Sequence, residues 1–190
     1  ITGDTNTAAT FNGTSSYLNA ATTTGVPTGA AARSVETWFK TTSTGRQVLF
    51  DYGSLCSAQE FGLWLNSGSQ SMTAWGCGTD RSFTLTSSVT DGAWHHVVET
   101  YNGTSITLYV DGVALTPQTA ALNTVIDARG LAIGAVITTG DGNSGGYFNG
   151  TLDDGSLCTT ALSTDTVTNT NPHGSHLAPT ESTPPRDTRP

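Results

Sequence analysis

Lysine occurs once in this 190-residue chain, at Lys40, and charged residues make up only 12% of it. Helix surfaces of the usual Glu/Lys kind therefore cannot be built from it. Glutamate is confined to Glu36, Glu60, Glu99 and Glu181. None belongs to a Glu-x-Asp-x-x-Glu cluster, so the paired carboxylates of a sandwich glycosidase are missing. No Gly-x-Ser-x-Gly, His-Glu-x-x-His or Gly-Lys-Ser/Thr phosphate loop is present, and the chain is expected not to be an enzyme. There is no run of about eighteen apolar residues to span a membrane. No signal peptide is seen, and Ile1 reads as the start of a mature or trimmed chain. A formal charge of −8 and a pI near 4.6 argue against nucleic acid and anionic membranes as partners, and serve solubility.

What is there is Thr, Ser, Gly and Asn. Thr favours strands, and the other three favour turns. Short segments rich in β-branched and aromatic residues recur every eight to twelve residues, as in a sandwich or jelly roll. Strands are expected at 17–18, 34–41, 47–52, 60–66, 71–76, 82–85, 94–101, 105–110, 130–135 and 151–157. Only 161–168 is even weakly helical. Asn-Gly or Asp-Gly pairs at Asn12, Asp91, Asn102, Asp111, Asp141 and Asn149 supply the positive φ that tight hairpins need. Three of these open Asn-Gly-Thr sequons, which turn chemistry already explains.

Alternation assigns faces. Phe61, Leu63 and Leu65 share one face of their strand, with Glu60, Trp64 and Asn66 on the other. Ile106, Leu108 and Val110 alternate with Tyr109, and Val35 and Phe39 oppose Glu36, Trp38 and Lys40. With aliphatic faces inward, Trp38, Trp64 and Tyr109 fall on outer faces. Composition changes near Asn169, where Pro172, Pro179, Pro184, Pro185 and Pro190 are spaced by polar residues. This divides the chain into a domain at 1–168 and a Pro-rich arm or linker at 169–190.

Several motifs, in order, resemble the laminin-G-like, concanavalin A-like jelly-roll family. They are Phe11-Asn12-Gly13-Thr14-Ser15-Ser16-Tyr17, then Asp91-Gly92-Ala93-Trp94-His95-His96-Val97 with Thr100-Tyr101-Asn102-Gly103. Leu108-Tyr109-Val110-Asp111-Gly112 follows, then Phe148-Asn149-Gly150-Thr151-Leu152-Asp153-Asp154 with Thr160-Ala161-Leu162-Ser163. The resemblance implies an all-β, two-sheet antiparallel β-sandwich, secreted, binding a glycan or protein ligand on a cell or particle surface. It also implies a structural calcium. The positions matching the family's oxygen ligands are Asn12 and Asp153, with Asp4 and Asp154 as further candidates. Asn12 stands where Asp is common in the family, and Asp154-Gly155 where Glu and an apolar residue are common.

Other candidates come from the residues themselves. Trp38, Trp64 and Trp75 are candidates for a sugar-stacking platform, with Glu36, Glu60, Asn66 and Tyr109 adding hydrogen bonds; the bland alternative is that some are core. An antiparallel meander through 47–76 brings Cys56 and Cys77 to one end of a sheet, where a disulfide is expected. Cys158 reads as a small buried hydrophobe. His95 and His96 point to opposite faces and read as packing residues rather than ligands to one ion. The expected function is an extracellular, non-catalytic carbohydrate-binding or adhesion module. The alternative is a structural or assembly subunit that docks on a neighbour through residues 169–190.

Overall fold

A computed structural model describes residues 8–20, 22–137 and 146–170. Thirteen strands run β1 (Ala9–Asn12), β2 (Leu18–Ala20), β3 (Arg33–Lys40), β4 (Gln47–Gly53), β5 (Glu60–Leu65), β6 (Ser71–Trp75) and β7 (Arg81–Thr84). They continue as β8 (Trp94–Tyr101), β9 (Ser105–Val110), β10 (Val113–Ala114), β11 (Gln118–Thr119), β12 (Leu131–Ile133) and β13 (Asn149–Cys158). A short helix α1 (Thr164–Thr170) follows. The all-β expectation holds, and ten of the thirteen strands fall where the pattern puts them.

Two antiparallel sheets form a sandwich. Sheet A has the order β1-β13-β3-β8-β9-β10, with β11 also paired to β9. Sheet B has the order β2-β12-β4-β5-β6-β7. Adjacent hairpins explain β4 to β7 and β8 to β10. The late strands instead insert between early ones: β12 between β2 and β4, and β13 between β1 and β3. The Asn12-Gly13 turn is not a hairpin, because it carries the chain from sheet A to sheet B. Asn149-Gly150 lies within β13 rather than at a turn. Asp111-Gly112 does close a two-residue hairpin, with Val110 opposite Val113 and both turn residues at positive φ. Asp141-Gly142 lies outside the described residues.

The inner faces are those the alternation assigned. Phe61, Leu63 and Leu65 of β5, Ile106 and Leu108 of β9, and Val35 and Phe39 of β3 meet in one core with Phe11, Met72 and Phe148. Strand β4 departs from simple alternation. Its register shifts between Val48 and Phe50, so Leu49 and Phe50 both enter the core. That bulge turns Asp51 to the outer face of sheet B, beside Glu60. A second bulge in β13, between Asp153 and Ser156, puts Asp154 at positive φ.

Candidate ligand-binding face

The outer face of sheet B carries a polar and aromatic set. Glu60 and Trp64 alternate outward from β5, and Trp75 stands one register step away on β6, opposite Gly62. The bulge delivers Asp51, also opposite Gly62. A Cβ on Gly62 would lie 2.6 Å from Asp51 Oδ2, so a side chain there would push the carboxyl out of place. Arg129 arrives from the segment before β12. Its Nε bonds Asp127 at 3.1 and 3.2 Å, and its Nη1 donates to the Ile137 carbonyl at 3.3 Å. The same Nη1 stands 3.9 Å from both Asp51 Oδ1 and Glu60 Oε1.

These groups are buried and under-satisfied. Glu60 is 0% exposed, Asp51 3% and Arg129 4%. Asp51 Oδ2, both Glu60 carboxylate oxygens, the Trp64 and Trp75 indole nitrogens and Arg129 Nη2 make no hydrogen bond of good geometry, although Asp51 and the Trp75 indole stand close enough to Glu60 to act on its charge. Each such group costs about 1–3 kcal/mol until water or a ligand meets it. Burial, then the adjacent Glu60 carboxyl, pushes the Asp51 pKa well above its ordinary value, against the pull of Arg129. Burial raises Glu60 as well, while Asp51, Arg129 and the facing Trp75 indole pull it down. One guanidinium for two carboxyls favours a proton held between them.

The aromatic part is a packed pair. Trp64 and Trp75 have ring centroids 5.3 Å apart at 38°. The exposed Arg46 lies over both, 3.8 Å from the Trp64 centroid and 5.0 Å from that of Trp75. Val48 and Val136 pack against Trp64, leaving it 8% exposed, while Trp75 is half-buried. The chain at Gly146 passes so close that a Cβ there would lie 3.0 Å from the Trp64 ring. Trp64 is therefore not a bare platform. Asn66 turns its amide to Ser71 and Thr73 at 3.0 and 2.9 Å, organising the β5–β6 turn.

The other expected ligand residues sit on the far side of the sandwich. Glu36, Trp38 and Tyr109 belong to β3 and β9 of sheet A. Trp38 packs on His96 with centroids 4.9 Å apart, and His96 Nε2 is 4.0 Å from Glu36. Burial depresses the His96 pKa. Helix α1 covers Tyr109, whose hydroxyl lies 3.3 Å from Thr164 Oγ1 beside Val98 and Val167. The six residues thus divide three and three across opposite faces, about 10 Å or more apart, and cannot form one site.

The calcium set is likewise not assembled. Asn12 pairs with Asn149, four residues along β13 from Asp153, a separation of about 13 Å in an extended strand. Ligands of one calcium lie within about 5 Å of each other. The Asn12 Oδ1 already accepts from the backbone N–H groups of Thr14, Ser15 and Ser16 at 2.9–3.0 Å. Asp4 lies outside the described residues, and among those described no three His, Cys, Asp or Glu cluster as a metal site. Cys56, Cys77 and Cys158 are unbridged in this structure, so the expected Cys56–Cys77 disulfide is not formed in it. His95 and His96 do face opposite ways. His95 Nδ1 lies 2.8 Å from Asp111 and its Nε2 3.1 Å from Asp91.

Two antiparallel sheets in this strand order make a jelly-roll β-sandwich. The chain belongs to the laminin G 3 family of the concanavalin A-like lectin/glucanases superfamily, whose model matches residues 12–168. Among solved structures it is similar to the native heptameric SAP-like pentraxin of Limulus polyphemus, at 18% identity and a TM-score of 0.65, covering 85% of this chain and 80% of that one. Domain 4 of the extracellular arabinanase AbnA from Geobacillus stearothermophilus, solved with arabinotriose, is similar at 19% identity and a TM-score of 0.65, covering 88% and 77%. The mouse laminin alpha1 domains LG4-5 are similar at 15% identity and a TM-score of 0.57, covering 78% of this chain and 40% of that one. No curated protein sequence matches.

Proposed function

We propose that the chain is a non-catalytic carbohydrate-binding module of an extracellular protein, taking its glycan on the outer face of sheet B around Trp75, Glu60, Asp51 and Arg129. The observation that carries this is the set of incompletely hydrogen-bonded donors and acceptors beneath the half-buried Trp75: carboxyl oxygens interleaved with indole and guanidinium N–H groups. Sugar hydroxyls both donate and accept, and such a mixed set suits them. The arabinotriose complex of the AbnA domain supports the ligand class. Arg46 stacks from an exposed position, a contact of about 0.5–1 kcal/mol, so a sugar ring can displace it from the half-buried Trp75. The carboxyl pair does not favour hydrolysis. Both acids sit side by side on adjacent strands with Arg129 3.9 Å from each, whereas a glycosidase holds its two acids about 5–9.5 Å apart on either side of the bond it cuts.

The test is a glycan array that includes arabino-oligosaccharides, run with calcium and again with a chelator. Trp75→Ala and Glu60→Gln are expected to lose the signal, and Trp38→Ala, on the opposite face, to keep it. None of the named residues requires an ion, so the chelator should change nothing. A blank array, or equal binding by all three variants, overturns the proposal.

A further inference from the structure

We propose that Cys56 and Cys77, unbridged in this structure, close on oxidation into an intramolecular disulfide that staples the 54–59 connection to the 76–80 turn. The staple lies at the rim of sheet B, four residues before Glu60 and two after Trp75. This inference rests on the corner itself and is independent of what the face binds.

Strands β4, β5 and β6 form a meander, so the connection leaving β4 and the turn leaving β6 emerge at the same end of the sheet. Their backbones are joined, with the Ala58 N–H donating to the Cys77 carbonyl at 3.2 Å. The connection curls around Cys56, whose N–H reaches the Ser54 carbonyl at 2.6 Å and whose carbonyl accepts from Gln59 at 2.9 Å. A Cβ on Gly78 would lie 3.6 Å from Ser57 Oγ, so the two turns touch side to side.

Both turns hold a non-glycine residue in the left-handed region, Ala58 at φ 63° and Cys77 at φ 53°. Such positions cost free energy and persist where the surroundings over-determine them. The charge on Cys56 is felt at Cys77, whose pKa is raised first by burial and then by Glu60, Asp80 and Cys56. Cys56 is exposed, so an oxidant reaches it first. Cys158 sits in the other sheet, opposite Ser34 on β3, which leaves these two as the natural partners.

The chemistry needs a disulfide oxidant such as oxidised glutathione. The Cys56 thiolate attacks it, forming a mixed disulfide and releasing one reduced glutathione. The Cys77 thiolate then attacks the Cys56 sulfur, closing the protein bond and releasing the second. Two thiol protons and two electrons leave the protein, and the oxidant takes up both.

The experiment uses the full chain carrying Cys158→Ser, equilibrated in a glutathione redox buffer and then analysed by intact mass and free-thiol titration. The expected product has lost two hydrogens, titrates no thiol and carries no glutathione. Its melting temperature should exceed that of the reduced form by about 5–10 °C, since the bridge closes a loop of roughly twenty residues. Cys56→Ser should abolish both the mass loss and the rise. Two thiols that still titrate, or glutathione remaining on Cys56, overturns the proposal.

Discussion

Replacing His95 by Gln removes one ring that ties two turns together. His95 is the second residue of β8, its side chain between Asp91, in the turn before that strand, and Asp111, in the β9–β10 hairpin. Asp111 is also engaged by the His96 backbone N–H at 2.9 Å. With a carboxylate on each ring nitrogen, the imidazolium is the form that satisfies both. The Asp111 hydrogen bond, assisted by Asp91 and opposed by burial, holds the His95 pKa above its ordinary value. The Ala93 backbone N–H, then His95, lower Asp91. Burial alone would raise Asp111, but His95 and the His96 N–H outweigh it, and its pKa is lowered.

A buried hydrogen bond to a charged group contributes about 1.5–3 kcal/mol. Here the carboxylate side chains are 51% and 46% exposed, so screening cuts each contact to about 0.5–1 kcal/mol. The clamp as a whole is then worth about 1–2 kcal/mol, or about 4 °C in melting temperature for a domain of this size. The sign follows from the raised folded pKa. The stabilisation is fully present below the unfolded value of about 6.5 and fades as pH rises through the folded value. Thermal melts followed by circular dichroism at about pH 5.5 and about pH 8.5 should show a His95→Gln deficit that is full at the lower pH and smaller at the higher. An equal deficit at both, or a larger one at alkaline pH, refutes the charged clamp.

Gly134→Ala should cost about 2–4 kcal/mol in a denaturant titration, because the residue has φ +82° and its Cβ would lie 2.6 Å from the buried Phe11 ring. Glu99 is fully buried, and burial, only partly countered by Arg33, raises its pKa well above the ordinary range. Stability carried by the protonated acid is lost as pH rises from the unfolded value toward the folded one, so Glu99→Gln, which mimics the neutral acid, should flatten that decline and be more stable than the native chain in denaturant titrations at neutral pH. Asn12→Ala should lower stability by about 1 kcal/mol through loss of its three backbone contacts, by the same amount in calcium as in chelator. A chelator-dependent difference would return Asn12 to a metal.

Local pattern reaches far in this chain but stops at the bulges and the insertions. Alternation in β5 and β9 assigned Phe61, Leu63, Leu65, Ile106 and Leu108 to the core and Glu60, Trp64 and Tyr109 outward, all as observed. It could not say that outward meant covered, since α1 over Tyr109 and the approach of Val136 and Gly146 to Trp64 are tertiary facts. Nor could it sort outward residues by sheet, because sheet membership depends on where the chain crosses. Asp51 and Arg129 went unnoticed for a specific reason. The run Gln47-Val48-Leu49-Phe50-Asp51-Tyr52 does not alternate, and the bulge at Leu49 that re-aims Asp51 leaves no turn residue to mark it. Arg129 follows a loop with no periodicity at all. Three strands, β1, β10 and β11, were missed because two-to-four-residue strands are made by their partners rather than by their own composition.

The position of β13 also sets a timetable. The strand that joins β1 to β3 in sheet A is the last of the described strands to be synthesised, and its neighbours leave the ribosome more than a hundred residues earlier. Until it emerges, β3 presents an open edge and β1 has no partner in sheet A. Such long-range pairing makes folding slow and leaves the nascent chain prone to wrong partners. A chain cut short before Asn149 would therefore not be a smaller domain but an aggregating one, and production hosts that slow translation or supply holding chaperones should raise its yield.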